Sequence, residues 1–137
     1  KMNKIKIEAT VGAGIDKVWK YWSEPEHITK WAFAQDDWEA PYAENDLRAG
    51  GKFLTRMSAK DGSASFDMAG EYTEVVPNEK ISYVFDGREV ATQFEKIDEN
   101  TTKVVSEFDP ENINSEEKQK EGWQGILDNF KKHVEAN

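Results

Sequence analysis

Five stretches between residues 51 and 109 alternate apolar and polar side chains and are separated by short turn sequences. This alternation is typical of half-buried strands, and short turns join strands that run antiparallel. The predicted strands cover residues 51–58, 65–76, 80–85, 89–97 and 102–109. Because one face of the resulting sheet is apolar, the sheet needs a cover, and only residues 115–136 are long enough to supply it.

Residues 115–136 predict a long amphipathic helix. Ser115 precedes two glutamates, which is typical of a helix N-terminus. The apolar residues recur at helical spacing and form one stripe, which consists of Trp123, Ile126, Leu127, Phe130 and Val134. Gly122 and Gly125 each cost the helix about 1 kcal/mol relative to alanine. We therefore expect either a close backbone approach or space for a ligand beside them.

The segment before the meander predicts one strand and two short helices. Residues 4–11 alternate as a strand does, and residues 15–22 and 25–31 carry apolar side chains at helical spacing. Ser23 is in position to cap the second helix. Residues 32–50 predict a long loop with room for a short strand. The elements together predict an α+β fold in which a curved antiparallel sheet wraps the last helix, with two short helices after the first strand.

Length and composition exclude several classes of protein. A chain of 137 residues predicts a single domain over residues 1–137. The absence of cysteine excludes disulfides and thiolate catalysis, and a net charge of −9 without a basic run argues against nucleic-acid and anionic-membrane partners. No apolar stretch is long enough to span a membrane, and no signal-peptide core is visible, so we expect a cytoplasmic protein. Met2 follows Lys1, and we expect Met2 to be the native first residue.

Five short motifs occur in the order found in a known family. They are Val18-Trp19, Pro25-Glu26-His27-Ile28 followed by Trp31, the octapeptides D-L-R-A-G-G-K-F at 46–53 and G-E-Y-T-E-V-V-P at 70–77, and Gly122-Trp123. The chain thereby resembles homologues of the activator of the heat-shock protein 90 ATPase (AHSA1-like), within the START/SRPBCC helix-grip superfamily. It departs from the pattern at Ala32, where many members have a second tryptophan. The resemblance implies a cavity for apolar small molecules between the sheet and the last helix, in a superfamily that includes both enzymes and carriers.

The side chains expected to face that cavity are mainly aromatic residues and methionines. Ligand pockets are mostly apolar with a few polar groups, so we hypothesise that the protein binds an apolar or aromatic small molecule. The predicted contact residues are Trp31, Trp38, Phe53, Met57, Phe66, Met68, Tyr72, Trp123, Ile126, Leu127 and Phe130. A filled core would need the same apolar residues, so the sequence leaves open whether the cavity is empty.

Two other functions stay open. A co-chaperone-like interaction module would use the acidic outer surface to meet a basic protein partner such as a chaperone. A cofactor-free enzyme acting on a cyclic or aromatic substrate would use Tyr72, Tyr83 or Glu74 as acid–base groups. The sequence shows no nucleophile–base pair and no ligand-spaced partner for His27 or His133. We therefore assign no catalytic residue and expect neither a cofactor nor a metal site.

Overall fold

The computed structural model describes residues 3–137, and the expectation for Met2 lies outside this range. Within this range, one strand and two short helices are followed by six strands and a long helix. The strands are β1 Ile5–Val11, β2 Trp38–Asn45, β3 Lys52–Ala59, β4 Ser65–Val76, β5 Lys80–Phe85, β6 Arg88–Asp98 and β7 Thr101–Phe108, and the helices are α1 Ile15–Ser23, α2 Pro25–Trp31 and α3 Glu116–Ala136. All strand pairs are antiparallel, in the order β1-β7-β6-β5-β4-β3-β2.

This architecture confirms the predicted helix-grip fold. The sheet curls around α3, and α1 and α2 lie between the first strand and the rest of the sheet in sequence. Burial follows the alternation read from the sequence. Along β7 every second residue is buried, namely Thr102, Val104, Ser106 and Phe108. These side chains face the interior of the curled sheet, as a period of two requires.

Helix α3 covers the concave face with the stripe predicted for it. Leu127, Phe130 and Val134 are almost completely buried. The hydroxyl of Ser115 accepts a hydrogen bond from the backbone N–H of Lys118 at 3.1 Å, so Ser115 is the N-cap that the sequence indicated.

The segment predicted as a long loop over residues 32–50 contains the eight-residue strand β2 at the edge of the sheet. Two features of β2 make it hard to recognise as a strand from the sequence. Pro41 cannot donate a ladder hydrogen bond, and the pairing with β3 shifts register between Glu39 and Tyr42. An edge strand tolerates both, because only one of its sides must be paired.

Ser23 does not cap α2, which corrects the prediction. Its hydroxyl donates instead to the carbonyl oxygen of Trp19 at 2.7 Å, within the last turn of α1. Glu24 occupies the N-cap position without a side-chain capping bond. Pro25 at the start of α2 has a backbone angle already suited to a helix and lacks an N–H that would need a cap.

Candidate functional site

A cavity of about 130 Å³ lies between the concave face of the sheet and α3. Strands, both short helices and α3 all contribute to its wall. Eight of the predicted contact residues line it: Trp31, Phe53, Met57, Met68, Tyr72, Trp123, Ile126 and Leu127. Nineteen residues line the cavity among those the structure describes, and the period-two pattern and the helical stripe account for seven of the eight that were predicted, Trp31 of α2 being the eighth.

Three predicted contact residues lie elsewhere. Phe130 is fully buried and packs edge-on against Trp31, with ring centroids 5.0 Å apart, beyond the cavity wall. Trp38 and Phe66 pack against each other at 5.9 Å, and Phe66 is 53% exposed. Phe66 lies at the beginning of β4, where Ser65, Phe66 and Asp67 are all exposed.

Other wall residues were missed as contact residues. Ile81, Tyr83, Thr92 and Ser106 have the inward alternation of their strands, so the signal was present in the sequence. Ile7 of β1 and Thr55 of β3 follow the same inward alternation, and the remaining wall residues come from the two short helices, the residue after α2 and the edge strand: Trp22, Ile28, Ala32, Glu44 and Asn45. Their positions depend on how α1, α2 and β2 close the sheet, which periodicity alone does not specify.

One side of the interior is filled by aromatic rings that pack against one another, and this region is here called the filled half. Its rings are those of Trp22, Trp31, Phe94 and Phe130. Trp22 lies 4.9 Å from Phe130, 5.0 Å from Trp31 and 5.5 Å from Phe94, measured between ring centroids. The indole N–H of Trp31 donates to the carbonyl oxygen of Tyr21 at 3.0 Å. The rings of Trp22 and Trp31 also form the wall of the cavity on this side.

On the other side, the rings of four residues border the cavity without filling it, and this region is here called the open half. The four residues are Phe53, Tyr72, Tyr83 and Trp123. The Tyr83 ring meets the edge of Phe53 at 4.8 Å and lies 6.2 Å from Tyr72. Trp123 of α3 stacks on Phe108 at 4.0 Å. Each ring is held by aromatic neighbours, so the wall is positioned by packing between side chains.

A chain of hydrogen bonds fixes one polar group of the wall. The Tyr72 hydroxyl donates to the side-chain oxygen of Asn45, and the Asn45 amide donates to the Ser23 carbonyl oxygen at 2.7 Å. These bonds tie β4 and β2 to the end of α1. Deeper in the wall, the hydroxyls of Thr92 and Ser106 bond each other at 2.7 Å. These groups therefore have protein partners.

The motif D-L-R-A-G-G-K-F helps to place Tyr72 and Asn45. A Cβ atom at Gly51 would lie 2.0 Å from the Asp46 carbonyl oxygen, so only glycine fits the turn between β2 and β3. The backbone N–H of Tyr72 donates to the Gly51 carbonyl oxygen at 2.9 Å. Arg48 forms an exposed ion pair with Asp46 at 3.0 Å. The motif thus has a structural role beside the cavity.

Two hydroxyls of the wall, those of Tyr83 and Thr55, make no hydrogen bond with any residue in the range 3–137. In the same range, every buried side-chain oxygen or nitrogen has a partner. Both hydroxyl oxygens must therefore reach open space. Burial raises the pKa of Tyr83 and of Tyr72 well above the ordinary value for tyrosine, so both phenols are uncharged donors at neutral pH.

Among the described residues of the wall, Glu44 is the only charged one. Its exposed carboxylate accepts a hydrogen bond from the Tyr42 hydroxyl. Glu74, considered above as an acid–base group, does not line the cavity. It forms an ion pair with Lys80 at 3.1 Å, with both side chains partly exposed.

The two histidines, 106 residues apart in sequence, meet where α2 packs on α3. Nδ1 of His27 lies 2.9 Å from Nε2 of His133, and Tyr21 stacks on His27 at 3.8 Å. Burial lowers the pKa of His133, and the electrostatic influence of His27, Lys30 and Lys17 acts in the same direction. Residues 3–137 contain no group of three or more side chains placed to hold a metal ion. The contact between His27 and His133 could not be predicted from the residues around either one, because it depends on the packing of α2 against α3.

The curled antiparallel sheet around a long C-terminal helix defines a helix-grip protein of the START/SRPBCC type. A family model described as Activator of Hsp90 ATPase homolog 1-like protein matches residues 13–135. The chain therefore belongs to this family, which confirms the resemblance carried by the five motifs. No relative is found among curated proteins.

Several solved structures are similar over nearly the whole chain. The AHSA1-like protein of Aeromonas hydrophila, solved by solution NMR, is 45% identical with a TM-score of 0.90, covering 97% of this chain and 92% of its own. A Cytophaga hutchinsonii protein is 52% identical with a TM-score of 0.83, covering 98% and 94%. A crystal structure from Chromobacterium violaceum, 22% identical with a TM-score of 0.85 and covering 98% and 99%, shares the fold.

Across residues 3–137, none of the helices combines the length and apolar character that crossing a membrane requires.

Proposed function

We propose that this protein binds an apolar or aromatic small molecule in the cavity between the sheet and α3. The observation that carries the proposal is the cavity itself, whose wall is mainly aromatic and aliphatic with a few hydroxyl groups. Ligand sites have this character, since apolar surface supplies affinity and a small number of polar groups supply orientation. The helix-grip fold commonly binds hydrophobic ligands, which supports the same conclusion.

The volume of the cavity limits the size of the ligand. An engineered protein cavity of about 150 Å³ binds benzene, whereas sites for drug-sized ligands measure about 300–1,000 Å³. At about 130 Å³ this cavity suits a molecule with one ring. A fatty acid or a sterol would extend beyond this volume, so we expect one-ring compounds to bind better than either.

A thermal-shift series tests the proposal. Toluene and other one-ring aromatics are compared with fatty acids and sterol-like compounds. A ligand at ten times its Kd stabilises a folded protein by about 1.4 kcal/mol, which raises the Tm by several degrees. We expect such a shift for the one-ring compounds. No shift in any class would contradict the proposal and favour a protein-interaction module instead.

A matched pair of variants on α3 shows where the ligand binds. Ile126→Trp places extra volume in the cavity and should remove the thermal shift, since Ile126 lines the wall. Gly122→Ala on the same helix is the control, because a Cβ atom there meets open space and Gly122 does not line the cavity. Circular dichroism checks that both variants fold. A shift that survives in folded Ile126→Trp would place binding elsewhere.

A further inference from the structure

Two tyrosines on neighbouring strands differ in whether their hydroxyl groups form a hydrogen bond with the protein. Tyr72 of β4 and Tyr83 of β5 are directly paired in the sheet, and both line the cavity. The Tyr72 hydroxyl is occupied by Asn45. The Tyr83 hydroxyl has no partner within residues 3–137 and is not enclosed by protein, and its ring packs beside Phe53 and Tyr72 in the cavity wall. The cavity thus contains one phenol that serves the fold and one that is available to a ligand.

Packing holds the free phenol in place. The Tyr83 ring contacts Phe53 edge-on at 4.8 Å and lies 6.3 Å from Phe85. A hydroxyl in mostly apolar surroundings costs free energy unless it is hydrogen-bonded, so an acceptor that enters beside it is favoured over a purely apolar group of the same shape. Since the ring is already fixed, the bond forms with little loss of side-chain freedom.

The charges around the cavity select against anions. No lysine, arginine or histidine lines the described wall, and the one charged group, Glu44, is negative. The nearest cation to the Tyr83 phenol among the described residues is Arg88, which packs over the Phe85 ring at 4.3 Å and does not line the wall, so a carboxylate that entered would lose its hydration without a cation in direct contact, which is unfavourable. The hydrogen-bonding group of the ligand must therefore be neutral.

We propose that the cavity selects an uncharged one-ring aromatic molecule whose hydroxyl or carbonyl oxygen accepts a hydrogen bond from Tyr83. This inference rests on the proposed function, because it requires that the cavity binds a ligand. It adds the chemical class and the residue that recognises it. Thr55 has the other unpartnered hydroxyl, but it lies on β3, with β4 between it and β5, so its contribution can be tested separately.

The test compares the Kd values of toluene and phenol, two ligands of nearly the same shape, by NMR titration. The measured quantity is the preference for phenol over toluene in the wild type, in Tyr83→Phe and in Tyr72→Phe. The preference is the Kd of toluene divided by the Kd of phenol. The free ligands are the same for each protein, so the difference in their hydration cancels when the preference of a variant is divided by that of the wild type. Tyr83→Phe should lower the preference about three- to tenfold, as expected for the loss of one hydrogen bond.

Tyr72→Phe is the matched control for the loss of a phenol hydroxyl. Absolute affinities can change in this variant because the Asn45 oxygen loses its donor and becomes an acceptor in the wall, but the preference for phenol should not fall, since the Tyr83 hydroxyl is intact. An equal loss of preference in Tyr72→Phe, or no loss in Tyr83→Phe, would overturn the inference. Loss of the preference in Thr55→Val alone would overturn it too, since recognition would then belong to Thr55.

Charge is tested with benzyl alcohol and benzoate at pH 7. Benzyl alcohol should bind at least tenfold more tightly than benzoate, because only benzoate is an anion. Equal affinities would overturn the inference. The same measurements distinguish failure of the proposed function from failure of this inference. If toluene does not bind to the wild type, the cavity does not take up ligands and the proposed function fails. If toluene binds but Tyr83→Phe has no effect on the preference, only the present inference is overturned.

Discussion

The filled half and the open half of the interior are built from the same kinds of residue but pack differently. In the filled half, Phe130 is completely buried against Trp22 and Trp31. In the open half, Phe53 and Tyr83 stay partly exposed and border a cavity of about 130 Å³. All three helices meet near the filled half, since α2 and α1 both contact α3. Coverage by helices, more than the apolar character of the strands, decides which side is filled.

The boundary between the halves falls within one turn of α3. Ile126 and Leu127 line the cavity, whereas Phe130, one turn later, belongs to the filled half. All three residues lie on the same apolar stripe, so the stripe serves two purposes along its length. Truncating side chains on the two sides should therefore have different consequences.

The largest expected effect is a loss of stability on truncation in the filled half. Phe130→Ala should lower the free energy of unfolding by about 3–5 kcal/mol, because it removes a fully buried ring and leaves a hole. Phe53→Ala should cost only about 1–2 kcal/mol, because its ring is partly exposed and already borders empty space. Urea denaturation of both variants measures the difference. Equal losses would show that the halves are packed alike.

The next effect separates the two phenols by stability. Tyr72→Phe should cost about 1–2 kcal/mol, because the Asn45 oxygen loses its donor. Tyr83→Phe should change the free energy of unfolding by less than about 0.5 kcal/mol, since no hydrogen bond is lost. The same urea titration provides the measurement. A cost for Tyr83→Phe as large as that for Tyr72→Phe would mean that its hydroxyl already has a partner.

The two glycines of α3 provide a comparison within one helix. Gly122→Ala should stabilise the protein by up to about 1 kcal/mol, because its Cβ atom meets nothing within 4 Å. At Gly125 a Cβ atom would lie 3.1 Å from the Ala34 carbonyl oxygen, so Gly125→Ala should gain less or lose stability. Thermal unfolding ranks the variants, and the reverse order would contradict the geometry.

The smallest expected effect is a dependence of stability on pH through the histidine pair. The pKa of His133 is lower in the folded protein than the ordinary value of about 6.5, so the unfolded chain binds more protons as the pH falls below that value. The contribution to stability is complete above pH ~6.5 and is lost as the pH falls through the lower folded pKa.

Lys17 and Lys30 disfavour the protonated form of His133, while Glu24 lies 4.0 Å from His27 on the opposite side of the pair. Urea titrations from pH 7 to pH 5 measure the dependence. His133→Gln should show a shallower decline than the wild type. An unchanged decline would assign the pH dependence to the carboxylates alone.

The sequence predicts the strands, the long helix and its cap because each depends on local periodicity or capping chemistry. In residues 32–50 it allows only a short strand within a long loop, whereas β2 has eight residues, because Pro41 and a register shift interrupt the alternation. Alternation places Phe66 on the inner face, but it does not reveal that the ring stays 53% exposed there. The close approach of Gly125 to Ala34 was anticipated as one of two explanations, whereas nothing in the structure explains Gly122.

The candidate site was predictable to the extent that it follows the same periodicities. The helical stripe includes Ile126 and Phe130 alike, so it cannot separate wall from filled core. The free hydroxyl of Tyr83 and the contact between His27 and His133 depend on partners distant in sequence. Such partners become visible only when the packing of strands and helices is known.

The most direct test of the account is an NMR titration of the wild-type protein with toluene that follows the five tryptophan indole N–H signals. Trp22, Trp31 and Trp123 line the cavity, whereas Trp38 packs against Phe66 outside it. We expect saturable shifts of the signals of Trp22, Trp31 and Trp123 and little change at Trp38. A shift at Trp38 alone, or no shift at high toluene concentration, would contradict the claim that this cavity is the binding site.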